Sequence, residues 1–206
     1  MKVLMINGSP HEHGCTAAAL EVIAEELKFQ GIDHEHLWVG NKAVQGCIGC
    51  WQCKQKGGAC IFNDEINEWI TKMNQSDGLV IGSPVHFASA TGPLITMLDR
   101  FFTAGGASVA FKPGAVICSA RRAGTTATFD QLMKYLMMNS MVPAPSPYWN
   151  MIHGNTPEEI FQDKEGIYIM KSVASGMAWL LHMIEKNSNM NEKPKSVEKA
   201  KTNFIR

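Results

Sequence analysis

Two hydrophobic rhythms take turns along the chain. Residues 2–6 (KVLMI) form a short apolar run that stops at Asn7-Gly8-Ser9-Pro10, which predicts a buried strand running into a turn. From 16 to 29 the apolar residues Ala19, Leu20, Ile23, Ala24 and Leu27 recur at helical spacing, and Gly31 supplies the stop. The pattern then repeats. Residues 34–39 (HEHLWV) read as a weaker strand, Asn63 or Asp64 can cap a helix to about Asn74, and 78–82 (GLVIG) is a second apolar strand ending at Ser83-Pro84. A helical pattern over 93–102, a strand at 115–119 (AVICS) and a helix over 126–139 follow.

The Pro-rich stretch 143–147 is expected to carry a fifth, irregular strand, and 157–186 reads as a final helical region with an interruption near Gly166. Residues 187–206 are a polar, Lys-rich tail expected to pack on the domain or on a neighbouring subunit. Strands that are apolar throughout and alternate with helices indicate a parallel sheet covered on both faces. The prediction is one α/β domain over 1–186, doubly wound and five-stranded, with a Cys-rich loop at 46–62. Ligands of such folds sit beyond the carboxyl ends of the strands, here the loops at Gly8, Ser83 and Ser119.

Composition narrows the function by exclusion. Nineteen basic side chains balance nineteen acidic ones over 206 residues, so no general field draws the chain to nucleic acid or anionic lipid. The apolar start is too short for a signal-peptide core, and a cytoplasmic protein with no membrane association is expected. Six cysteines in that compartment are reduced thiols, metal ligands or redox groups rather than a disulfide framework.

The segment 8–16 (GSPHEHGCT) joins the first strand to a helix N-terminus, where open N–H groups and the helix dipole favour an anion. Ser9 and Thr16 add hydroxyls, and Gly8 and Gly14 allow close approach or positive φ. There is no G-x-x-x-x-G-K-[ST], and no G-x-G-x-x-G with an acidic ribose reader, so a mononucleotide held without a cationic side chain fits best.

Strand-Gly-Ser-Pro-x(3)-Gly-x-Thr resembles the opening of the NADPH-dependent FMN reductase family. The resemblance extends over most of the chain. It includes Ser83-Pro84-Val85-His86-Phe87-Ala88, then Gly92-Pro93 through Leu98-Asp99-Arg100-Phe101, and 119–125 at the place of a third flavin loop. Trp149-Asn150 and the closing 202–206 (TNFIR) are similar to its iron-sulfur flavoprotein branch.

The resemblance implies a flavodoxin-like three-layer sandwich with strand order 2-1-3-4-5. It implies an FMN site built from Ser9, His11, Gly14, Cys15 and Thr16, then Pro84, Val85, His86, Phe87 and Ala88, and finally Ser119, Ala120, Arg121, Gly124 and Thr125. The chain departs from the family pattern at His11, where Arg is usual, and at Cys15, where Asn is usual. The phosphate therefore falls chiefly to Ser9, Thr16 and backbone N–H groups. NAD(P)H as electron donor, a small acceptor, and a homodimer or homotetramer are further implications. The flavin carries the chemistry, so no side chain is named as catalytic.

Cys47, Cys50, Cys53 and Cys60 are spaced C-x(2)-C-x(2)-C-x(6)-C. Four thiolates can complete a [4Fe–4S] site, and the spacing resembles that of the iron-sulfur flavoproteins, electron carriers that imply a ferredoxin-like partner. A plain lid or dimer element, a zinc site and a redox-active C-x(2)-C pair stay open beside it. Cys118 is expected in the core. Cys15, at a helix N-terminus, is expected to have a lowered pKa. The Met-rich run 133–141 reads as adaptable core or subunit surface, and His34, His36, His153 and His182 as ordinary.

Overall fold

The computed structural model describes residues 1–188 together with Pro194, Val197 and Glu198. Its centre is the strand β1 (Lys2–Asn7), which pairs in parallel with β2 (Asp33–Trp38) on one side and β3 (Gly78–Pro84) on the other. Strand β4 (Pro113–Ala120) lies beyond β3, giving the order 2-1-3-4-5 expected for the sheet. Successive strand side chains point to opposite faces, so each strand feeds two cores. Val3, Met5, Val80, Ala115 and Ile117 meet helices α1 (Cys15–Phe29) and α6 (Lys164–Lys186). Leu4, Ile6, Leu79, Ile81 and Val116 meet α2 (Glu65–Asn74), α3 (Gly92–Gly105) and α4 (Thr125–Met138).

The fifth strand position departs from expectation. It is filled by two short pieces, β5 (Val142–Pro143) against the start of β4 and β6 (Met151–His153) against its end. The intervening 145–149 leaves the ladder, because Pro145 and Pro147 have no N–H to donate to it. The last ladder bonds on either side of the bulge are Ala144 N–H to Gly114 O at 2.8 Å and Cys118 N–H to Asn150 O at 2.9 Å.

The final helical region is interrupted near Gly166, as expected, with the break at 161–163. A one-turn helix α5 (Pro157–Ile160) is capped by Thr156, and Asp163 starts α6 by accepting from the Gly166 N–H at 2.9 Å. Gly166 is a close fit, since a Cβ there would lie 2.5 Å from both Asp163 Oδ2 and Ile152 Cγ1. By length and composition α6 could cross a bilayer, but its face of Ile169, Met170, Val173, Ala174 and Met177 is buried against the sheet and α1. The expected packing of the tail falls outside the described residues, save for the few named above.

Candidate functional site

Three strand-end loops converge at the carboxyl edge of the sheet. In the first, Asn7 organises the turn: its Oδ1 accepts from Ser9 N–H at 3.0 Å and its Nδ2 donates to Glu12 O at 3.1 Å. Ser9 Oγ accepts from His11 N–H at 3.1 Å, and Trp38 Nε1 donates to Ser9 O at 2.8 Å. Gly14 is the residue before α1, and no side chain caps that helix, so the N–H groups of its first turn remain open to an anion. The glycine at position 8 answers to packing, because a Cβ would lie 2.4 Å from Leu94 Cδ2.

The loops are stitched to one another. Thr16 Oγ1 and Ser119 Oγ, both buried, share a hydrogen bond of 2.8 Å that joins the first loop to the third. Val85 N–H donates to Ser119 O at 3.0 Å, joining the second to the third, and Thr91 Oγ1 donates to Gly8 O at 2.6 Å, joining the second to the first. Gly124, at φ 93°, is the contact point between loops: a Cβ would meet Val85 Cγ1 at 2.8 Å and Ala88 Cα at 2.9 Å.

The tip of the second loop is a tight hairpin in which His86 and Ser89 exchange two backbone hydrogen bonds of 2.9 Å. Phe87 and Ala88 stand at φ 52° and 57°, a region few non-glycine residues adopt, and Phe87 is fully exposed. Phe87 therefore contributes nothing to the core. Gln131 of α4 braces the hairpin by accepting from Ser89 Oγ and Ala90 N–H at 2.8 and 2.9 Å. Arg121 is exposed beside Arg122 on the third loop, and Thr125 Oγ1 reaches Met151 Sδ at 3.2 Å.

Cys15 corrects its expectation. Burial is the largest influence on its thiol, and with Glu159 and Glu158 nearby it raises the pKa, outweighing the backbone hydrogen bond at the helix start. Its Sγ lies 3.6 Å from Gly154 O. Cys118 is a core thiol pushed up to about 12 by burial.

The four spaced cysteines are brought together. Cys47, Cys50, Cys53 and Cys60 all line one small cavity, walled by Ile48, Trp51, Ile61 and Phe62 and floored by α3. Cys53 Sγ lies 3.7 Å from Thr103 O of α3. Among the described residues no three His, Cys, Asp or Glu side chains are grouped as a metal ion would require. Arg100 enters from α3, 1% exposed, with its Nε donating to Cys60 Sγ at 3.3 Å and its two terminal nitrogens to Asp64 at 2.6 and 2.7 Å.

A family model described as NADPH-dependent FMN reductase matches residues 1–156. The chain belongs to this family. An iron-sulfur flavoprotein of Methanocaldococcus jannaschii is 29% identical over 194 residues, covering 90% of this chain and 100% of the relative. Another from Archaeoglobus fulgidus is 39% identical over 100 residues, 48% of each chain. Among solved structures, RosB with bound 8-demethyl-8-formylriboflavin-5′-phosphate shares the fold at a TM-score of 0.72 and 13% identity, over 100% of this chain and 94% of that one. A flavodoxin from the Archaea does so at 0.55 and 13%, over 85% and 99%.

As a member of the FMN reductase family the chain is an FMN-binding oxidoreductase, and the donor set suits it. The uncapped α1, the Ser9 hydroxyl and the Thr16–Ser119 pair gather neutral polar groups at the carboxyl edge of the sheet, a set of the kind that receives an anion. Asn7, Trp38, Thr91 and Gln131, which shape the loops, carry little signal of that role in the sequence. Asn7 and Thr91 are buried polar residues at element ends, a signal visible only as a polar residue closing an apolar run. Arg100 is a charged residue on an otherwise apolar helix face, a signal that was present.

Proposed function

We propose that the chain is an NAD(P)H-dependent FMN oxidoreductase whose phosphate site is Ser9, Thr16 and the first turn of α1. The observation that carries this reading is the hydrogen-bonded stitching of the three strand-end loops around that uncapped helix start. Bound FMN would supply two-electron and one-electron redox chemistry. The protein's own part is to bind, orient and exclude water. Backbone groups of 84–88 and of 119–125 would border the isoalloxazine, with exposed Phe87 available to cover its face and His86 at its edge. Arg121 and Arg122 supply positive charge at the mouth, suited to a pyridine-nucleotide phosphate.

One observation favours an electron-carrier reading, in which the chain also holds a [4Fe–4S] cluster and exchanges single electrons with a ferredoxin-like partner. Cys47, Cys50, Cys53 and Cys60 all line one apolar-walled cavity, a donor set of four cysteines that suits a cluster. The relatives named iron-sulfur flavoproteins agree with it. A homodimer or homotetramer, as the family resemblance implies, would cover some of the exposed apolar side chains, among them Met137, Met138, Tyr148 and Trp149 and, on α6, Tyr168 and Trp179. A cytoplasmic location accords with six free thiols.

Anaerobic purification followed by an absorption spectrum and iron and sulfide analysis separates these readings. Yellow protein bleached by NADPH or NADH and free of iron supports the reductase with a small acceptor. Brown protein carrying about four irons per chain supports the carrier. Colourless protein that takes up no FMN would overturn both.

A further inference from the structure

Arg100 is placed unlike any other cation in the described structure. Its guanidinium is buried, and four N–H groups have partners: Nε–H on Cys60 Sγ at 3.3 Å, Nη1 on Asp64 Oδ2 at 2.6 Å and on Gln45 O at 3.2 Å, and Nη2 on Asp64 Oδ1 at 2.7 Å. Its Cζ lies over the Phe62 ring, 4.9 Å from the centroid. One side chain thus ties together both flanks of the cysteine segment and the start of α2, which Asp64 caps. A buried ion pair costs desolvation that a hydrophobic replacement would avoid, so stability alone is a weak reason for it.

We propose that Arg100 is a positioning residue for the fourth cysteine. Its Nε–H holds the Cys60 sulfur toward the shared cavity and, through that bond, sets the reduction potential of the group the thiolates hold. This rests on the cluster reading above. A donor on a ligating sulfur, backed by positive charge, stabilises the more negative reduced state and raises the potential. Asp64 works against this by offsetting the guanidinium charge while fixing its orientation through the fork. The two partners of one ion pair therefore have opposite effects on the potential, which a purely structural role does not give.

The placement also links the two sites. Thr91, at the start of α3, bonds Gly8 O in the phosphate loop, and Arg100 lies about 14 Å further along the same helix at 1.5 Å per residue.

The test uses the full chain, purified anaerobically and reconstituted with ferrous iron and sulfide, with Arg100→Met, Arg100→Lys and Asp64→Asn beside it. Redox titration should show Arg100→Met reduced less readily, by about tenfold in the reduced-to-oxidised ratio at a fixed applied potential, equivalent to about 59 mV for one electron. Asp64→Asn should shift the opposite way, and Arg100→Lys, which keeps the charge but not the fork, should fall between Arg100→Met and the parent. In the metal-free protein, amide exchange across 60–64 should accelerate in Arg100→Met and much less in Arg100→Lys. Equal potentials in loaded variants, or shifts of the same sign for Arg100→Met and Asp64→Asn, overturn the inference while leaving the cluster in place. A parent chain that takes up no iron removes the cluster reading and this inference with it. If Arg100→Met alone fails to load, unchanged amide exchange in its metal-free form overturns the positioning role.

Discussion

Ser9 and Thr16 are both nearly inaccessible to solvent, yet the hydroxyls around them are not all used internally. Ser9 Oγ accepts from His11 N–H, which leaves its own O–H unused. Thr16 and Ser119 bring two O–H groups to their mutual bond and use one, so the other can point outward. With His11 and Cys15 in place of the usual Arg and Asn, the proposed phosphate site rests on these hydroxyls and the helix N–H groups. Ser9→Ala combined with Thr16→Ala is expected to weaken FMN binding by about 1.5–3 kcal/mol, the range for hydrogen bonds to a charged group. That is roughly ten- to hundredfold in Kd, read by fluorescence quenching of FMN; an unchanged Kd would refute the assignment.

At the scale of elements, the Cys segment is tied to α2 and α3 through Asp64. Hydrogen bonds from Arg100 are the main cause that holds its carboxyl below the usual range. A folded-state pKa below the unfolded one means the stabilisation is present above about pH 4 and is lost as pH falls through the depressed folded value. Asp64 is 39% exposed, so solvent screens the gain and only the sign is firm. Urea unfolding from about pH 6 down to about pH 3 should therefore fall less steeply for Asp64→Asn than for the parent.

The bulge in the fifth strand sets a second constraint between elements. Gly176 of α6 packs so closely on it that a Cβ would lie 2.3 Å from Pro145 O. Alanine would add up to about 1 kcal/mol of helix propensity, but overpacking against a backbone oxygen costs about 1–3 kcal/mol. The balance favours loss, and Gly176→Ala should lower the urea midpoint; a rise would show that the bulge yields freely.

Across the whole molecule, the three loops draw on β1, β3 and β4 and on the starts of α1, α3 and α4, so ligand binding couples to most of the sheet. A ligand that binds only the folded chain at a hundredfold excess over its Kd adds about 2.7 kcal/mol. For a domain of this size that is roughly 5–10 °C in Tm. FMN should produce such a shift in a thermal melt, and riboflavin, which lacks the phosphate, a smaller one. Equal shifts would place the affinity in the ring loops rather than at α1.

Periodicity alone determined the class of fold, because the apolar strands at 2–6, 78–82 and 115–119 and the amphipathic helices between them each carry their own signal in local side-chain order. It also located the loop before α1, since a Gly-Ser turn ahead of a helix is a local feature. What it left open depends on residues distant in the chain. The fifth strand divides around its prolines because only β4 offers a ladder there, and the Cys15 thiol is governed by burial and by Glu159 rather than by its place at a helix start. The gathering of four thiols around one cavity, with Arg100 reaching Cys60 from forty residues away, was decided by tertiary packing alone. Spacing can bring ligands near one another, but only the packing of α3 against the loop sets which charge meets which sulfur.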